Sequence, residues 1–383
     1  MKRMLTASGG TAIYLIAILV NLGIQLLGSV VLVVAGAVSG SAEVSSVLNY
    51  VLMALLQTGF MLAFVLYVKK TDRGIAFPVR VPKWYDILLA LLAAAICVFC
   101  FIFPAQWFAV LLDKIGYNFS TEFPIGGVTD TILCVLVTVI IAPVCEELVF
   151  RGALLTGLTK KFGIVPSVLL SGLAFSLMHM NPEQTVYQFF MGCACAYLAI
   201  CSGSVVVPVL VHAGNNLIAI IFEFTGTAFL DVFFTDYVVF TVASVAFTIA
   251  GLTALYFIGR LMLKSERHGL GEGLVFDFKS KAADKIPQNS TENSRAAIVS
   301  ATSDESAKET DAVRRKPTKN NRFAAATDFI KAEAAQDEAD TESGKLRAPL
   351  LGKRSAVLYL ALGLFACFIT WILVFAVNMS GLV

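Results

Sequence analysis

Long apolar stretches separated by short polar interruptions dominate the pattern of this chain. A helix rises 1.5 Å per residue and the hydrocarbon core of a bilayer is ~30 Å thick, so about 20 apolar residues can cross it. Nine stretches meet or approach this length, and they predict an all-α polytopic membrane bundle of about eight core helices and a ninth, C-terminal one. The predicted spans are residues 12–38, 47–68, 86–112, 131 to the Lys160–Lys161 pair, 164–180, 185–201, 205–222, 237–263 and 356–377.

A polar segment separates the ninth span from the rest of the chain. Residues 264–354 mix charged, hydroxyl and amide side chains with little apolar periodicity, so this segment cannot bury a core. We predict a disordered cytoplasmic linker there. The predicted domains are N-terminal transmembrane helices at 1–128, a transmembrane core with the candidate chemistry at 129–263, the linker at 264–354 and a C-terminal transmembrane helix at 355–383.

The composition supports a membrane protein and excludes other classes. The chain of 383 residues is 57% hydrophobic, whereas soluble domains are about 45–50% apolar. Its net charge of +2 argues against a nucleic-acid partner. The eight cysteines lie in or beside apolar segments, where cysteine behaves as a small hydrophobic residue, so we expect no disulfide framework.

The positions of Lys and Arg predict how the bundle is oriented. If the N-terminus is cytoplasmic, Lys114 is the one basic residue before residue 264 that falls in an outer loop, apart from Arg151 within the fourth span. Cytoplasmic loops of membrane proteins carry an excess of Lys and Arg. We therefore predict a multi-pass protein of the cell membrane with a cytoplasmic N-terminus, and the ninth span then places the C-terminus outside.

Two adjacent carboxylates and an arginine lie in the fourth span, directly after its apolar run. An ionisable residue at membrane depth costs about 2.5–3.5 kcal/mol, which makes it a candidate for function. Glu147 and Arg151 are four residues apart on one helix face and can form an ion pair. Glu146 lies about 100° around the helix from Glu147 and is free to act as a general base. Pro143 has no backbone N–H and can open the helix locally.

Two later spans each carry a histidine. His179 ends the fifth predicted span, and His212 shares a helix face with Asn216 in the seventh. A histidine and an amide on one face can bind a metal or stabilise a developing oxyanion. The alternative is that these side chains only join helix to helix, at about 1 kcal/mol each. Six such polar residues on three spans together favour a functional site.

The signatures of three intramembrane peptidase chemistries are missing from the sequence. It contains no His-Glu-x-x-His zinc helix, no Gly-x-Ser-Gly serine site with a partner histidine and no Gly-x-Gly-Asp aspartyl site. Each absence is informative, because each of these chemistries needs its own residue spacing.

Three motifs occur in order on successive polar spans, namely Glu146-Glu147-x-x-x-Arg151, Phe175-x-x-x-His179 and His212-x-x-x-Asn216. Together they resemble the motifs of the CPBP intramembrane protease family. This family includes the CAAX prenyl endopeptidases and the Abi or bacteriocin-processing group. The resemblance covers roughly residues 129–222, whereas the polar segment and the ninth span depart from the eight-helix family core. It implies a glutamate-dependent endopeptidase, sometimes described as metal-dependent, with a peptide or protein substrate at the lipid bilayer.

The resemblance also implies a role for each residue. Glu146 would activate the attacking water with help from His179, and His212 and Asn216 would stabilise the tetrahedral oxyanion. In the metal-dependent version, Glu146, His179 and His212 would bind the metal, with zinc as the candidate. The two residues that would support this geometry are Glu147 and Arg151.

A second class of function is a non-catalytic membrane protein, such as an immunity or scaffold factor, in which the polar residues stabilise the bundle. A transporter is a weaker interpretation, because the sequence shows no inverted repeat or paired broken helices. The substrate stays open. The family includes members that trim prenylated proteins and bacterial members linked to bacteriocin self-immunity, peptide maturation or regulated proteolysis.

Overall fold

The structure is a computed structural model. It describes most of the chain outside the predicted linker at 264–354, of which it describes only isolated positions. The prediction of disorder in that linker therefore lies outside the described residues. The described residues are 5–39, 42–71, 73–75, 77, 79, 81–117, 127–226, 233, 236–264, 335, 339 and 355–379.

Helices account for all the regular structure in the described part of the chain. The fourth helical run, Val128–Phe162, is interrupted by two π-helical segments, π1 and π2. The elements are α1 Ala7–Ser39, α2 Ala42–Thr71, α3 Trp84–Lys114, α4 Val128–Cys134, π1 Val135–Ile141, α5 Ala142–Glu147, π2 Leu148–Leu155, α6 Thr156–Phe162, α7 Ile164–Met178, α8 Thr185–Ser202, α9 Val206–Thr225, α10 Tyr237–Lys264 and α11 Ser355–Met379.

The lengths of these helices confirm the predicted all-α polytopic membrane bundle. Within the described residues, 8 helical runs are long and apolar enough to cross a membrane, when Val128–Phe162 counts as one. A further apolar helix, α7, has 15 residues. At 1.5 Å per residue it is about 22 Å long, shorter than the ~30 Å hydrocarbon core. The C-terminal end of α7 can therefore lie at membrane depth.

Local hydrogen bonding shifts the helix ends from those that the apolar pattern predicted. The backbone N–H of Gly9 donates to Thr6 Oγ1 at 3.0 Å, so Thr6 caps α1 and the helix begins at Ala7 instead of near residue 12. The predicted span 164–180 ends earlier, because Met180 has a φ of 53° and cannot continue α7. His179 is thus the residue that directly follows this helix.

Glycines bring the central helices into close contact. A Cβ atom on Gly10 of α1 would lie 3.0 Å from the Cα atom of Gly157 in α6, so these two backbones touch. A Cβ atom on Gly192 of α8 would likewise lie 3.0 Å from the Cα atom of Gly172 in α7. Small residues allow this backbone packing between helices in lipid. The second contact is made by Gly192, whose carbonyl lies close to Arg151 in the fourth helical run.

The C-terminal helix α11 packs within the bundle against α1 and α7. Its Cys367 Sγ lies 3.9 Å from the hydroxyl of Tyr14 in α1. Its Phe375 ring stacks on Tyr117, which follows α3, with 5.2 Å between the ring centroids. At the start of α1, the N–H of Leu5 donates to the carbonyl of Gly74, which precedes α3. The start of α1 thus contacts the segment before α3, and the end of α11 contacts the residue Tyr117 after it. The membrane side that each terminus faces stays a prediction.

Candidate active site

The helix α5 holds both carboxylates inside the bundle. The side chains of Glu146 and Glu147 are buried, and so is Arg151 in π2. π-helical segments are rare and occur frequently at functional sites. Here one precedes α5 and one follows it, so the acidic pair lies where the helix changes its hydrogen-bonding register twice.

Glu147 forms the ion pair that the four-residue spacing predicted. Arg151 Nη1 donates to Glu147 Oε1 at 2.7 Å, and Arg151 Nη2 donates to the carbonyl of Gly192 in α8 at 2.8 Å. The guanidinium group also lies over the Phe175 ring, 4.7 Å from its centroid. Both charges are fully buried. Cation–π and hydrogen-bond contacts of this kind partly offset the desolvation of Arg151.

Glu146 has one fixed and one unpartnered carboxylate oxygen. Gln57 Nε2, from α2, donates to Glu146 Oε1 at 2.8 Å. Glu146 Oε2 is buried and has no hydrogen-bond partner among the described residues. It lies 4.0 Å from His212 Nε2, beyond direct hydrogen-bond distance. The sequence interpretation missed Gln57, although an amide in the middle of the second apolar span was a signal for it.

Both histidines are oriented by their Nδ1 atoms. His212 Nδ1 lies 3.1 Å from Glu147 Oε1, and His179 Nδ1 lies 2.9 Å from the carbonyl oxygen of Phe175. Because a carboxylate or carbonyl oxygen can only accept, Nδ1 carries the proton in each ring. The Nε2 atom of each ring is then the one that can exchange a proton with a substrate or water.

Phe175 packs against both imidazole rings. Its centroid lies 4.8 Å from that of His179 and 5.6 Å from that of His212, both edge-on. Edge-to-face ring pairs are favourable beyond their buried area. His179 also interacts electrostatically with Glu146 and His212. One aromatic side chain thus contacts both histidines, which explains its place in the second motif.

Asn216 satisfies a backbone carbonyl that Pro143 leaves free. In π1 the N–H of Ala142 bonds to the carbonyl of Val137, five residues before it. The next bond of this ladder would join residue 143 to the carbonyl of Thr138, but proline has no N–H. Asn216 Nδ2 donates to this carbonyl at 2.8 Å instead. The third motif therefore fixes the register of the helix that carries Glu146.

Two further residues extend this contact into α8 and α9. Asn215 Nδ2 donates to Asn216 Oδ1 at 3.2 Å, and the hydroxyl of Tyr187 donates to Asn215 Oδ1. The sequence interpretation assigned no role to Asn215 or Tyr187. Their signal was weak, because a buried tyrosine or asparagine in a membrane helix commonly serves helix packing alone.

We predict that the contact of Asn216 depends on Pro143. Asn216→Ala leaves the Thr138 carbonyl without a partner, and an unsatisfied buried group costs about 1–3 kcal/mol of unfolding free energy. In the Pro143→Ala background, the new N–H of residue 143 can donate to that carbonyl. The unfolding free energy lost through Asn216→Ala should then be less than half of its value in the wild-type background. Denaturant unfolding of the four proteins in one detergent measures this.

A matched control is Pro166, which lies in the first turn of α7, where a backbone N–H has no intrahelical partner in any case. Pro166→Ala should leave the effect of Asn216→Ala unchanged. If the changes in unfolding free energy caused by Pro143→Ala and Asn216→Ala simply add in the double variant, the bond of Asn216 does not depend on Pro143.

The predicted metal version needs three converging ligands. The unpartnered Glu146 Oε2 atom and the nearby His212 Nε2 atom are donors of the type that zinc accepts. Within the described residues, however, no three His, Cys, Asp or Glu side chains form a group that could hold a metal ion. His179 is thus not placed as the third ligand, and we derive no step through a metal.

The comparisons with known proteins agree with this site. Residues 128–218 match a family model described as type II CAAX prenyl endopeptidase Rce1-like. An uncharacterized protein of Mycoplasma capricolum subsp. capricolum is 30% identical over 115 residues, which make up 27% of this chain and 33% of that protein. The match therefore spans a third of that relative's length. No solved structure matches the chain.

The matched segment contains all six predicted site residues. It begins with α4 and ends within α9, so it includes the acidic pair, Arg151, both histidines and Asn216. The resemblance that the three motifs indicated is confirmed: residues 128–218 match the model of the Rce1-like family of type II CAAX prenyl endopeptidases.

Proposed function

We propose that this multi-pass membrane protein is an intramembrane endopeptidase in which Glu146 activates the water that hydrolyses a peptide bond. The observation that carries the proposal is the difference in hydrogen bonding between the two oxygens of the Glu146 carboxylate. One oxygen is fixed by Gln57, and the other is buried, unpartnered in the described chain and 4.0 Å from His212 Nε2. A carboxylate held in this way has one oxygen available for proton transfer.

The geometry supports a water molecule between Glu146 and His212. Hydrogen bonds to oxygen are about 2.8 Å long, so one water can bond to two atoms that lie 4.0 Å apart. Glu146 Oε2 takes a proton as the water oxygen attacks the carbonyl carbon of the substrate. When the carbon–nitrogen bond breaks, the same proton passes to the leaving amine. This is general acid–base catalysis by a single carboxylate.

The two histidines can stabilise the oxyanion that this attack forms. When His212 is protonated at Nε2, it can donate to the oxyanion while Nδ1 keeps its bond to Glu147 Oε1. His179 directly follows α7, and its ring packs against Phe175 as that of His212 does, with Nδ1 bonded to the carbonyl oxygen of Phe175. The role of Asn216 in this step rests on its second amide hydrogen, since the first is bonded to the Thr138 carbonyl.

The substrate class follows from the membrane and from the family. The family description names CAAX prenyl endopeptidases, which supports a peptide or protein substrate that reaches the site from the bilayer. A non-catalytic immunity or scaffold protein of the same fold is the second candidate. The position of the unpartnered Glu146 oxygen, 4.0 Å from His212 Nε2, favours the enzyme, because these two atoms can hold one water between them.

The test is cleavage of a peptide library by purified protein, read by mass spectrometry. The library contains prenylated CAAX peptides and leader-type peptides, and the samples are the wild type and Glu146→Gln, each with and without a zinc chelator. We expect products from the wild type only, and their cut sites identify the substrate class. Inhibition by the chelator that zinc reverses would support the metal version. Equal product patterns from both proteins would contradict Glu146 as the base, and no products from either protein would favour the non-catalytic alternative.

A further inference from the structure

The turn that carries His179 has an unfavourable backbone. His179 is followed by Met180, which has a φ of 53°, in the left-handed region that non-glycine residues rarely occupy. Such a conformation costs about 1–3 kcal/mol and persists only where its surroundings hold it. The position of His179 therefore depends on contacts outside its own backbone.

Three hydrogen bonds hold this turn from within. Ser176 Oγ donates to the carbonyl of Thr185 at 2.6 Å, and Thr185 Oγ1 donates to the carbonyl of Asn181 at 3.1 Å. The N–H of Glu183 donates to Asn181 Oδ1 at 3.0 Å. Thr185, the first residue of α8, takes part in two of the three bonds. It is the point at which a further contact could fix the turn.

That further contact comes from the C-terminal helix. Trp371 Nε1, in α11, donates to Thr185 Oγ1 at 2.8 Å. The same hydroxyl thus accepts from Trp371 and donates to the carbonyl of Asn181. The position of Trp371 therefore restricts the position of Asn181 in the turn. The indole is itself fixed, because it stacks on Phe375 with 5.7 Å between centroids, and Phe375 stacks on Tyr117.

We infer that Trp371 is a positioning residue for His179, and that α11 is part of the active-site scaffold of this chain. The inference rests on the proposed function, in which His179 assists Glu146. It goes beyond the matched family domain, since α11 lies far outside residues 128–218. A displacement of about 1 Å at a catalytic group can lower a rate 100-fold. The bond from Trp371 is the contact that resists such a displacement.

The first test replaces the donor. Trp371→Phe keeps an aromatic ring for the stack but removes the N–H, and we expect kcat to fall about 10- to 100-fold while KM changes little. Hydrogen–deuterium exchange of the backbone amides at residues 176–185 should become faster. The matched control is Trp107→Phe, because Trp107 Nε1 donates to Thr241 Oγ1 at 3.2 Å between α3 and α10, away from the site. That variant should change neither quantity.

The second test replaces the acceptor. Thr185→Val removes both bonds of the hydroxyl, whereas Thr185→Ser keeps them and should retain wild-type kcat. The double variant of Trp371→Phe and Thr185→Val should match Thr185→Val alone, because the bond is lost only once. Additive losses, or a kcat for Trp371→Phe equal to that of the control, would overturn the inference.

The exchange measurement separates this inference from the proposed function. If the wild type cleaves no peptide, the proposed function fails, but exchange at residues 176–185 still reports whether Trp371 holds the turn. Unchanged exchange in Trp371→Phe would overturn the inference even in an active enzyme. Faster exchange at these amides in Trp371→Phe, but not in Trp107→Phe, supports it.

Discussion

Glu146→Gln is expected to abolish cleavage while leaving the bundle folded. Glutamine has the shape of glutamate and keeps an amide oxygen that can accept from Gln57 Nε2, so the contact with α2 survives. It cannot take a proton from water. General acid–base groups contribute about 10²- to 10⁴-fold to a rate, and kcat should fall by that factor or more. The measurement is kcat on a peptide that the wild type cleaves, together with the thermal unfolding curve in the same detergent.

The matched control for this substitution is Glu223→Gln. Glu223 lies near the end of α9 and is exposed, so its carboxylate should matter to neither activity nor stability. If Glu146→Gln cleaves at more than a few per cent of the wild-type rate, Glu146 is not the base. A loss of folding in Glu146→Gln would instead show that the bond with Gln57 needs the full charge of the carboxylate.

The parts of the site that lie on one helix were predictable from the sequence. Glu147 and Arg151 are four residues apart, and this spacing alone places them in contact. The spans were predictable for the same reason, because bilayer thickness fixes the length of an apolar run. Such inferences use only local geometry, and local geometry is what residue order determines.

The contacts between helices were not predictable from a single sequence. Gln57 is 89 positions from Glu146, and nothing in the order of residues indicates that α2 faces α5. The π-helical segments were missed for a different reason. An apolar pattern shows which face of a helix is buried, but it does not show whether the backbone bonds four or five residues back. Pro143 indicated a local opening, and the partner of the freed carbonyl, Asn216, appears only in three dimensions.

Arg151→Met is expected to be among the most destabilising single substitutions in the chain. It removes the cation that pairs with Glu147 and leaves that carboxylate fully buried with His212 as its remaining partner. Loss of one member of a buried ion pair costs about 3–5 kcal/mol of unfolding free energy. Denaturant unfolding in a fixed detergent measures it. Lys114→Met, at an exposed lysine above the Tyr237 ring, should cost less than about 0.5 kcal/mol.

The double variant of Glu147→Leu and Arg151→Met separates the contribution of this ion pair to stability from its contribution to catalysis. The ion pair is not completely satisfied, since Glu147 Oε2 and Arg151 Nε have no hydrogen-bond partner in the described chain. Apolar replacement of both members of such a pair is often neutral or stabilising, so most of the lost stability should return. Activity should not return, because His212 Nδ1 has lost the carboxylate that fixes its tautomer. Recovery of both would mean that Glu147 serves the fold alone and that His212 works without its orienting partner.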